Sequence, residues 1–256
     1  MAKRSPLLEK LDEVRERIAN ACTKAKREPG EVTLIAVTKS AAPEQIRELL
    51  QYGIADLGEN RVQQLTQRAS QLNEFVARHI SGGNATVPQK IRWHMIGHLQ
   101  RNKVKPILPI VGCIHSVDSL RLAEEIDVAG EKLGRKIPVL LQVNASEEPQ
   151  KSGVAVGAAV HLAEQFDSMP HVQLTGLMTM AAHGGDEAAT RQTFSRTREL
   201  FEEMKWNKIG GSSMKHLSMG MSDDFEHAIA EGATMVRIGS LLFGGKPWDD
   251  DLQKEE

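Results

Sequence analysis

Residues 34–39 read Leu-Ile-Ala-Val-Thr-Lys, an apolar run of β-type residues that ends on a lysine. An uninterrupted apolar run is typical of a strand that is buried inside a sheet. Lys39 is therefore expected at the end of a rigid strand. An amine held there and partly removed from water has a lowered pKa and becomes nucleophilic toward carbonyl groups. The alternative is a lysine that reaches past the rim of the sheet into water.

Similar runs recur along the chain, and helical patterns separate them. The predicted strands after residues 34–39 are 55–60, 91–97, 113–118, 138–144, 172–180, 216–220 and 234–240. Strands that alternate with connections of crossover length pair in parallel. We therefore predict an α/β fold, a single (β/α)8 TIM barrel with one extra helix at the N-terminus. A doubly wound open sheet is the alternative.

Several helix boundaries and faces follow from the pattern. Ser5 and Pro6 are expected to begin the N-terminal helix, and Gly134 is expected to end another. The long helix after the second strand has a predicted inner face made of Val62, Leu65, Ala69, Leu72, Val76 and Ile80. Residues 1–248 form one predicted domain. The acidic residues 249–256 are expected to be a disordered tail, and the polar loop 81–90 resembles a tolerated insertion.

Composition excludes several classes of protein. The 256 residues carry a formal net charge of −2, which gives no electrostatic reason to bind nucleic acid or an anionic membrane. Cys22 and Cys113 have neither metal-site nor disulfide spacing, which fits a reducing compartment. No apolar run approaches the ~20 residues of a membrane span, and the first residues do not form a signal peptide. We expect a cytoplasmic protein without a metal.

Polar residues and glycines follow the predicted strands. The carboxyl ends of barrel strands meet at one face, where active sites lie. The residues at these ends are Lys39, Gly58-Glu59-Asn60, Gly97-His98, Asp118, Asn144, Thr179, Ser218-Met219-Gly220 and Gly239-Ser240. Ordinary exposure of loops explains part of this pattern.

The last two strand ends favour a phosphate site, because the loops after strands seven and eight bind phosphate in many barrels. Gly220 and Gly239 permit close approach of the backbone, and Ser218 and Ser240 supply hydroxyl and amide donors. Ordinary turn glycines beside a capped helix are the alternative.

Arg237 lies inside an apolar strand, where an unpaired charge costs several kcal/mol. Its candidate partners are a ligand phosphate, a ring nitrogen, or a structural carboxylate such as Glu226. An amine opposite a phosphate site suits two ligands: a phosphorylated sugar, as in barrel aldolases, or pyridoxal 5′-phosphate (PLP).

A set of motifs also carries a family resemblance. The segments AVTKS, LGENRVQ, WHMIGHLQRNK, SVDS, VNASEEPQKSGV, GLMTM, LSMGMSDDFEHAI and MVRIGSLLFG occur in this order between residues 36 and 244. In order and spacing they resemble the pyridoxal phosphate homeostasis protein family. That family is similar to the N-terminal barrel domain of bacterial alanine racemase.

The resemblance implies roles for individual residues. Lys39 would hold PLP as a Schiff base, and the turn Ser218-Met219-Gly220, with Gly239 and Ser240, would hold its phosphate. Arg237 would face either the ring nitrogen or the phosphate. Asn60, His98 and Met178 would line the pocket less directly. Lys151 would be a second cofactor contact, a residue that hands the cofactor on, or a solvated loop lysine, the last being our interpretation.

The resemblance further implies a monomeric protein that binds PLP and maintains its intracellular level, with apo-PLP enzymes as possible recipients. A two-base racemase needs an acid/base group on each face of the substrate, and in related racemases the second is a tyrosine from another domain. The single tyrosine, Tyr52, is predicted at the opposite end of the barrel. We therefore expect a carrier without efficient catalysis. The alternatives are a weak racemase-like enzyme, an aldolase that uses Lys39, and a pure interaction protein.

Overall fold

The computed structural model describes residues 4–82, 86–148, 150–181 and 185–244, and in them the strands close into a ring. Every pairing is parallel, and the order β4-β3-β2-β1-β9-β8-β7-β5 is closed by pairing of β4 with β5. The strands of the ring are β1 (Thr33–Val37), β2 (Asp56–Glu59), β3 (Arg92–Met95), β4 (Val111–Val117), β5 (Ile137–Asn144), β7 (Val172–Met178), β8 (His216–Ser218) and β9 (Met235–Ile238). The predicted barrel is confirmed, and the open sheet is wrong.

Helices surround this ring. They are α1 (Pro6–Lys24), α2 (Pro43–Gln51), α3 (Val62–Ser81), α4 (Val104–Ile107), α5 (Leu120–Leu133), α6 (Val156–Asp167), α7 (Glu187–Trp206), α8 (Phe225–Ala230) and α9 (Ser240–Phe243). A two-residue strand, β6 (Val154–Ala155), pairs with the end of β5, and α6 begins directly after it. Among the described residues, no helix is long and apolar enough to cross a membrane. The predicted tail 249–256 lies outside the described residues.

Local signals in the sequence set the helix ends. The Ser5 hydroxyl accepts a hydrogen bond from the Leu8 amide at 3.3 Å, so it caps α1 as predicted. Gly134 ends α5 with a φ of 62°, the left-handed conformation that glycine adopts readily. Asp186 caps α7 by accepting from the Ala189 amide at 2.7 Å.

The predicted inner face of α3 is wrong at its last position, because Ile80 is 41% exposed. Leu65, Ala69, Leu72, Phe75 and Val76 are the buried residues of this helix. A 20-residue helix is about 30 Å long, whereas the four-residue strands β2 and β3 span roughly 13 Å each. The last turn therefore extends past the barrel wall that buries the earlier ones.

The extra helix α1 packs against α8. Arg17 donates to Glu226 at 2.7 Å, and its guanidinium lies 4.7 Å from the centre of the Phe225 ring. Glu226 is thus the partner of Arg17, and our suggestion that it pairs with Arg237 is wrong. Glu226 lies on the outer helix layer, whereas Arg237 is buried in the barrel wall.

Candidate functional site at the carboxyl end of the barrel

Lys39 lies two residues after the end of β1, at the carboxyl end of the barrel. The backbone before it is fixed, because the Thr38 amide donates to the Gly58 carbonyl at 2.9 Å and the Ala41 amide donates to the Thr38 carbonyl at 2.8 Å. The side chain as a whole is exposed, but desolvation around the amine lowers the pKa of Lys39. A lowered pKa increases the fraction of neutral, nucleophilic amine at a given pH.

A buried ion pair anchors this segment from outside the barrel. Arg68 of α3 bonds to the Glu59 carboxylate and to the Thr38 carbonyl, and it donates to the Ala41 carbonyl at 3.1 Å. The Thr38 hydroxyl donates to the same Glu59 oxygen at 2.5 Å. Glu59 is fully buried, and burial raises the pKa of this carboxyl despite these partners. One guanidinium therefore holds the backbone on both sides of Lys39.

The turns after β8 and β9 lie side by side. The Arg237 amide donates to the Gly220 carbonyl at 3.0 Å, and the Leu241 amide donates to the Ser222 hydroxyl at 3.4 Å. A Cβ atom placed on Gly239 would lie 3.3 Å from Cβ of Val37, so these turns also adjoin the end of β1. Lys39 and both turns thus share one end of the barrel.

These turns contain backbone N–H groups for which the described part of the chain offers no acceptor. The Met219 amide donates to the Met235 carbonyl and the Met221 amide donates to Asp224. By contrast, four other amides donate to no acceptor within the described residues, namely those of Gly220, Ser222, Gly239 and Ser240. Buried amides normally have a partner, and successive unpaired N–H groups in turns bind anions. Gly220 and Ser222 are buried, and their N–H groups are candidates to donate to a bound anion.

Arg237 is a buried cation with neutral partners. It is 4% exposed, donates to the Ser218 hydroxyl at 2.7 Å, and donates to the Thr179 carbonyl at 2.9 Å. Among the described residues, no carboxylate lies within ion-pair distance of it. Burial lowers the pKa of Arg237 to about 10, although the nearby charge of Asp224 acts in the opposite direction. The guanidinium is thus a candidate to meet an acceptor supplied by a ligand.

The other predicted pocket residues occupy three different environments. Met178 is buried inside the barrel, in an apolar cluster with Ile35, Cys113, Leu140 and Met235. Asn60 follows β2, and its side-chain amide makes no hydrogen bond within the described part of the chain. His98 is exposed and lines a cleft of about 710 Å³ together with Asp118. The structure thus places His98 in that cleft, between the loops that follow β3 and β4.

Lys151 is not the solvated lysine that we expected. Its side chain is 16% exposed, donates to the Ala181 carbonyl at 2.6 Å, and pairs with Glu148 at 3.1 Å. Because Asn144 donates to the Glu148 carbonyl at 2.8 Å, the loop after β5 folds back over its own strand. This packing removes Lys151 from water, and the local sequence carries no signal of it.

Three polar residues inside the barrel were missed by the sequence analysis. His94 lies 2.9 Å from His115 and 3.0 Å from Asp56, and His115 lies 2.9 Å from the Ser218 hydroxyl. The signal that identified Arg237, a polar residue inside an apolar strand, is also present at His94 and His115. Applied to every strand, it would have found both histidines.

Tyr52 lies far from this end of the barrel, as predicted. It follows α2, which runs back from the carboxyl end, and its hydroxyl bonds to Arg4 and donates to Asp12 of α1 at 3.4 Å. Arg15 of α1 lies over its ring at 5.2 Å. The phenol is therefore engaged at the amino end of the barrel.

Comparison with known proteins agrees with this architecture. Residues 10–247 match the family described as alanine racemase, N-terminal domain. The pyridoxal phosphate homeostasis protein of Aquifex aeolicus is 38% identical over 94% of this chain and 98% of its own length. The structure of PipY from Synechococcus elongatus with PLP bound superposes with a TM-score of 0.75 and 34% identity, over 90% of this chain and 100% of that one.

Alanine racemase of Clostridium difficile has the same fold at 16% identity, with a TM-score of 0.69 over 95% of this chain and 58% of the racemase. The family match covers nearly all of the described residues, and the homeostasis proteins match along almost their whole length. The chain belongs to the pyridoxal phosphate homeostasis protein family, within the wider family of the alanine racemase N-terminal domain.

Proposed function

We propose that this chain binds PLP at the carboxyl end of its barrel, buffers the intracellular level of the cofactor, and does so without efficient catalysis. Lys39 is the covalent anchor, Arg237 faces the cofactor, and the turns that contain Ser218, Met219, Gly220, Gly239 and Ser240 hold its phosphate. The remaining residues that line the PLP site are Asn60, His98 and Met178. The PLP bound by PipY and the name of the Aquifex relative support this assignment.

The observation that carries the proposal is the pairing of an amine with an anion site. The pKa of Lys39 is lowered by desolvation. On adjoining turns, the N–H groups of Gly220, Ser222, Gly239 and Ser240 have no acceptor among the described residues. PLP supplies an aldehyde that reacts with a neutral amine and a phosphate that accepts several hydrogen bonds. The residues present therefore fit this cofactor at both of its ends.

The same residues support a carrier rather than a racemase. The sequence has one tyrosine, and the Tyr52 hydroxyl is bound at the amino end of the barrel, away from Lys39. Arg237 donates hydrogen bonds and accepts none. Unlike a carboxylate, it cannot keep the ring nitrogen of the cofactor protonated. Purified protein is expected to racemise no amino acid efficiently. Racemisation that disappears in Lys39→Ala would contradict this part of the proposal.

We further propose that the chain works as a cytoplasmic monomer and passes PLP to apoenzymes. The ring of strands is completed within one chain, which supports an autonomous barrel. Sedimentation analysis tests the monomer. Activation of a purified apo-PLP enzyme by the loaded protein, at a rate above that of free release, tests direct transfer.

The decisive experiment is an absorption spectrum of the purified protein with PLP, before and after borohydride, followed by peptide mass analysis. A violet band that bleaches, with a reduced pyridoxyl group on the peptide that contains Lys39, is the expected result. Lys39→Ala should lose the band, whereas Lys132→Ala, at an exposed lysine of α5, should keep it. A colourless protein, or pyridoxyl labelling spread over surface lysines, would overturn the proposal. Lys39 would then have to be tested as the lysine of a barrel aldolase.

A further inference from the structure

A line of side-chain hydrogen bonds crosses the interior of the barrel. It begins at Asp56, the first residue of β2, and continues through His94 of β3 and His115 of β4 with separations of 3.0 and 2.9 Å. His115 then reaches Ser218 of β8 at 2.9 Å, and Arg237 donates to the same hydroxyl at 2.7 Å. Since β4 and β8 are not neighbours in the ring, the contact between His115 and Ser218 spans the lumen.

The two ends of this line have fixed roles. Arg237 has only donors, so the Ser218 oxygen accepts from it. Burial alone would raise the pKa of Asp56, but its hydrogen bonds with His94 and Arg92 and the charge of Arg92 lower it overall, so Asp56 is a carboxylate that only accepts. Arg92, which is exposed at the amino end, donates to Asp56 at 2.7 Å and thereby anchors the acceptor end.

Between these ends, one arrangement of protons satisfies every group without a further buried charge. Ser218 donates its hydroxyl proton to Nδ1 of His115, Nε2–H of His115 donates to Nδ1 of His94, and Nε2–H of His94 donates to Asp56. The reverse direction would require His94 to carry protons on both nitrogens, because its Nε2 faces a carboxylate. That would add a cation to a core that already buries Arg237, at a considerable desolvation cost.

We propose that Asp56, His94, His115 and Ser218 form a one-directional hydrogen-bond chain that positions Arg237, with both histidines neutral and protonated at Nε2. Since Ser218 donates into this chain, its oxygen is a stronger acceptor for Arg237. The Thr179 carbonyl holds the other terminal nitrogen of Arg237, so the plane of the guanidinium is fixed before a ligand arrives. The consequence for PLP rests on the proposed function.

A buried metal ion is the competing explanation of the same residues. Ligand atoms of His94, Cys113 and His115 lie within 4.8 Å of one another. A metal would have to replace the 2.9 Å hydrogen bond between the histidines, and burial raises the pKa of Cys113 to about 12, which disfavours its thiolate. The hydrogen-bond chain needs neither change.

Nitrogen-15 NMR of the imidazole rings in the cofactor-free protein tests the chain directly. We expect both His94 and His115 to show a protonated Nε2 and an unprotonated Nδ1. In Ser218→Ala the donor to Nδ1 of His115 is lost, but Asp56 still fixes the Nε2 proton of His94. His115 should therefore keep its tautomer, and only the resonance of its Nδ1 should shift. His216→Gln, a change two residues earlier in β8 that removes no bond of the chain, should leave both rings as in the unsubstituted protein.

PLP titration supplies a second readout. Ser218→Ala should bind PLP about tenfold more weakly than His216→Gln does, the effect of losing one hydrogen bond to a charged group. A doubly protonated His94, a His115 protonated at Nδ1, one equivalent of bound metal, or unchanged PLP affinity in Ser218→Ala would each overturn the proposal. If no variant binds PLP but the tautomers are as expected, the proposed function fails and the proton arrangement stands.

Discussion

Arg68 and Glu59 form a buried pair that also bonds to the backbone on both sides of Lys39. The pair joins α3 to the end of β2, and through Thr38 and Ala41 it joins both to the segment after β1. The segment that carries Lys39 is therefore held by an ion pair whose arginine comes from the outer helix layer.

Arg68→Lys is expected to loosen this segment. A lysine amine cannot reproduce the planar set of donors that reaches Glu59 and two carbonyls, so buried acceptors are left unpaired at a cost of about 1–3 kcal/mol in the free energy of unfolding. PLP affinity should fall as well. Denaturant unfolding and PLP titration measure both effects. Arg191→Lys, at an exposed pair with Glu187, is the matched control and should change the free energy of unfolding by about 0.5 kcal/mol or less.

Gly220→Ala is expected to destabilise the protein and to disturb the phosphate site. Gly220 has a φ of +93°, and a Cβ atom there would lie 2.6 Å from Cβ of Ala228 and 2.9 Å from Cα of Phe225. Backbone strain and overpacking together cost about 2–4 kcal/mol. Gly157→Ala in α6 meets nothing within 4 Å and should stabilise by about 0.5–1 kcal/mol. Equal unfolding midpoints for the two variants would contradict this account.

The rate at which PLP attaches to Lys39 should rise with pH below the ordinary range of lysine. Desolvation lowers the pKa of Lys39 from 10.5, so its amine should lose its proton at a lower pH than a free lysine side chain does. Stopped-flow absorbance across about pH 7 to 10 measures the midpoint, with free Nα-acetyl-lysine as the reference. A midpoint at or above that of the reference would show that desolvation does not activate this amine.

Pyridoxal without its phosphate should bind at least about 100-fold more weakly than PLP, since two or more hydrogen bonds to a charged group are lost. Inorganic phosphate should compete with PLP for the amides of Gly220, Ser222, Gly239 and Ser240. Isothermal titration of the two vitamers, with and without phosphate, measures both effects. Similar affinities for pyridoxal and PLP would mean that these amides do not hold the phosphate.

The strands and the barrel could be predicted because each apolar run is buried on both faces, and such runs are distinct from helical patterns. Lys39 and Arg237 could be singled out from the sequence because each is a charged residue in or beside an apolar strand. The role of Arg68 was not predictable, because α3 shows it as one of several polar residues and its partners come from two other segments. Lys151 and Ile80 were misjudged because loop packing and the height of the barrel wall depend on tertiary structure.

The hydrogen bond between the hydroxyl of Ser218 and the ring of His115 has a consequence for evolution as well as for binding. In the proposed arrangement the Ser218 hydroxyl donates to His115 and accepts from Arg237, so it has little remaining capacity to bind a ligand. The backbone amides of the turn after β8 would then contact the ligand, while the Ser218 side chain faces the interior of the barrel. Selection can therefore change ligand binding in two ways within this short segment. Substitutions in the turn act on the ligand directly, whereas a substitution at Ser218 acts on it through Arg237.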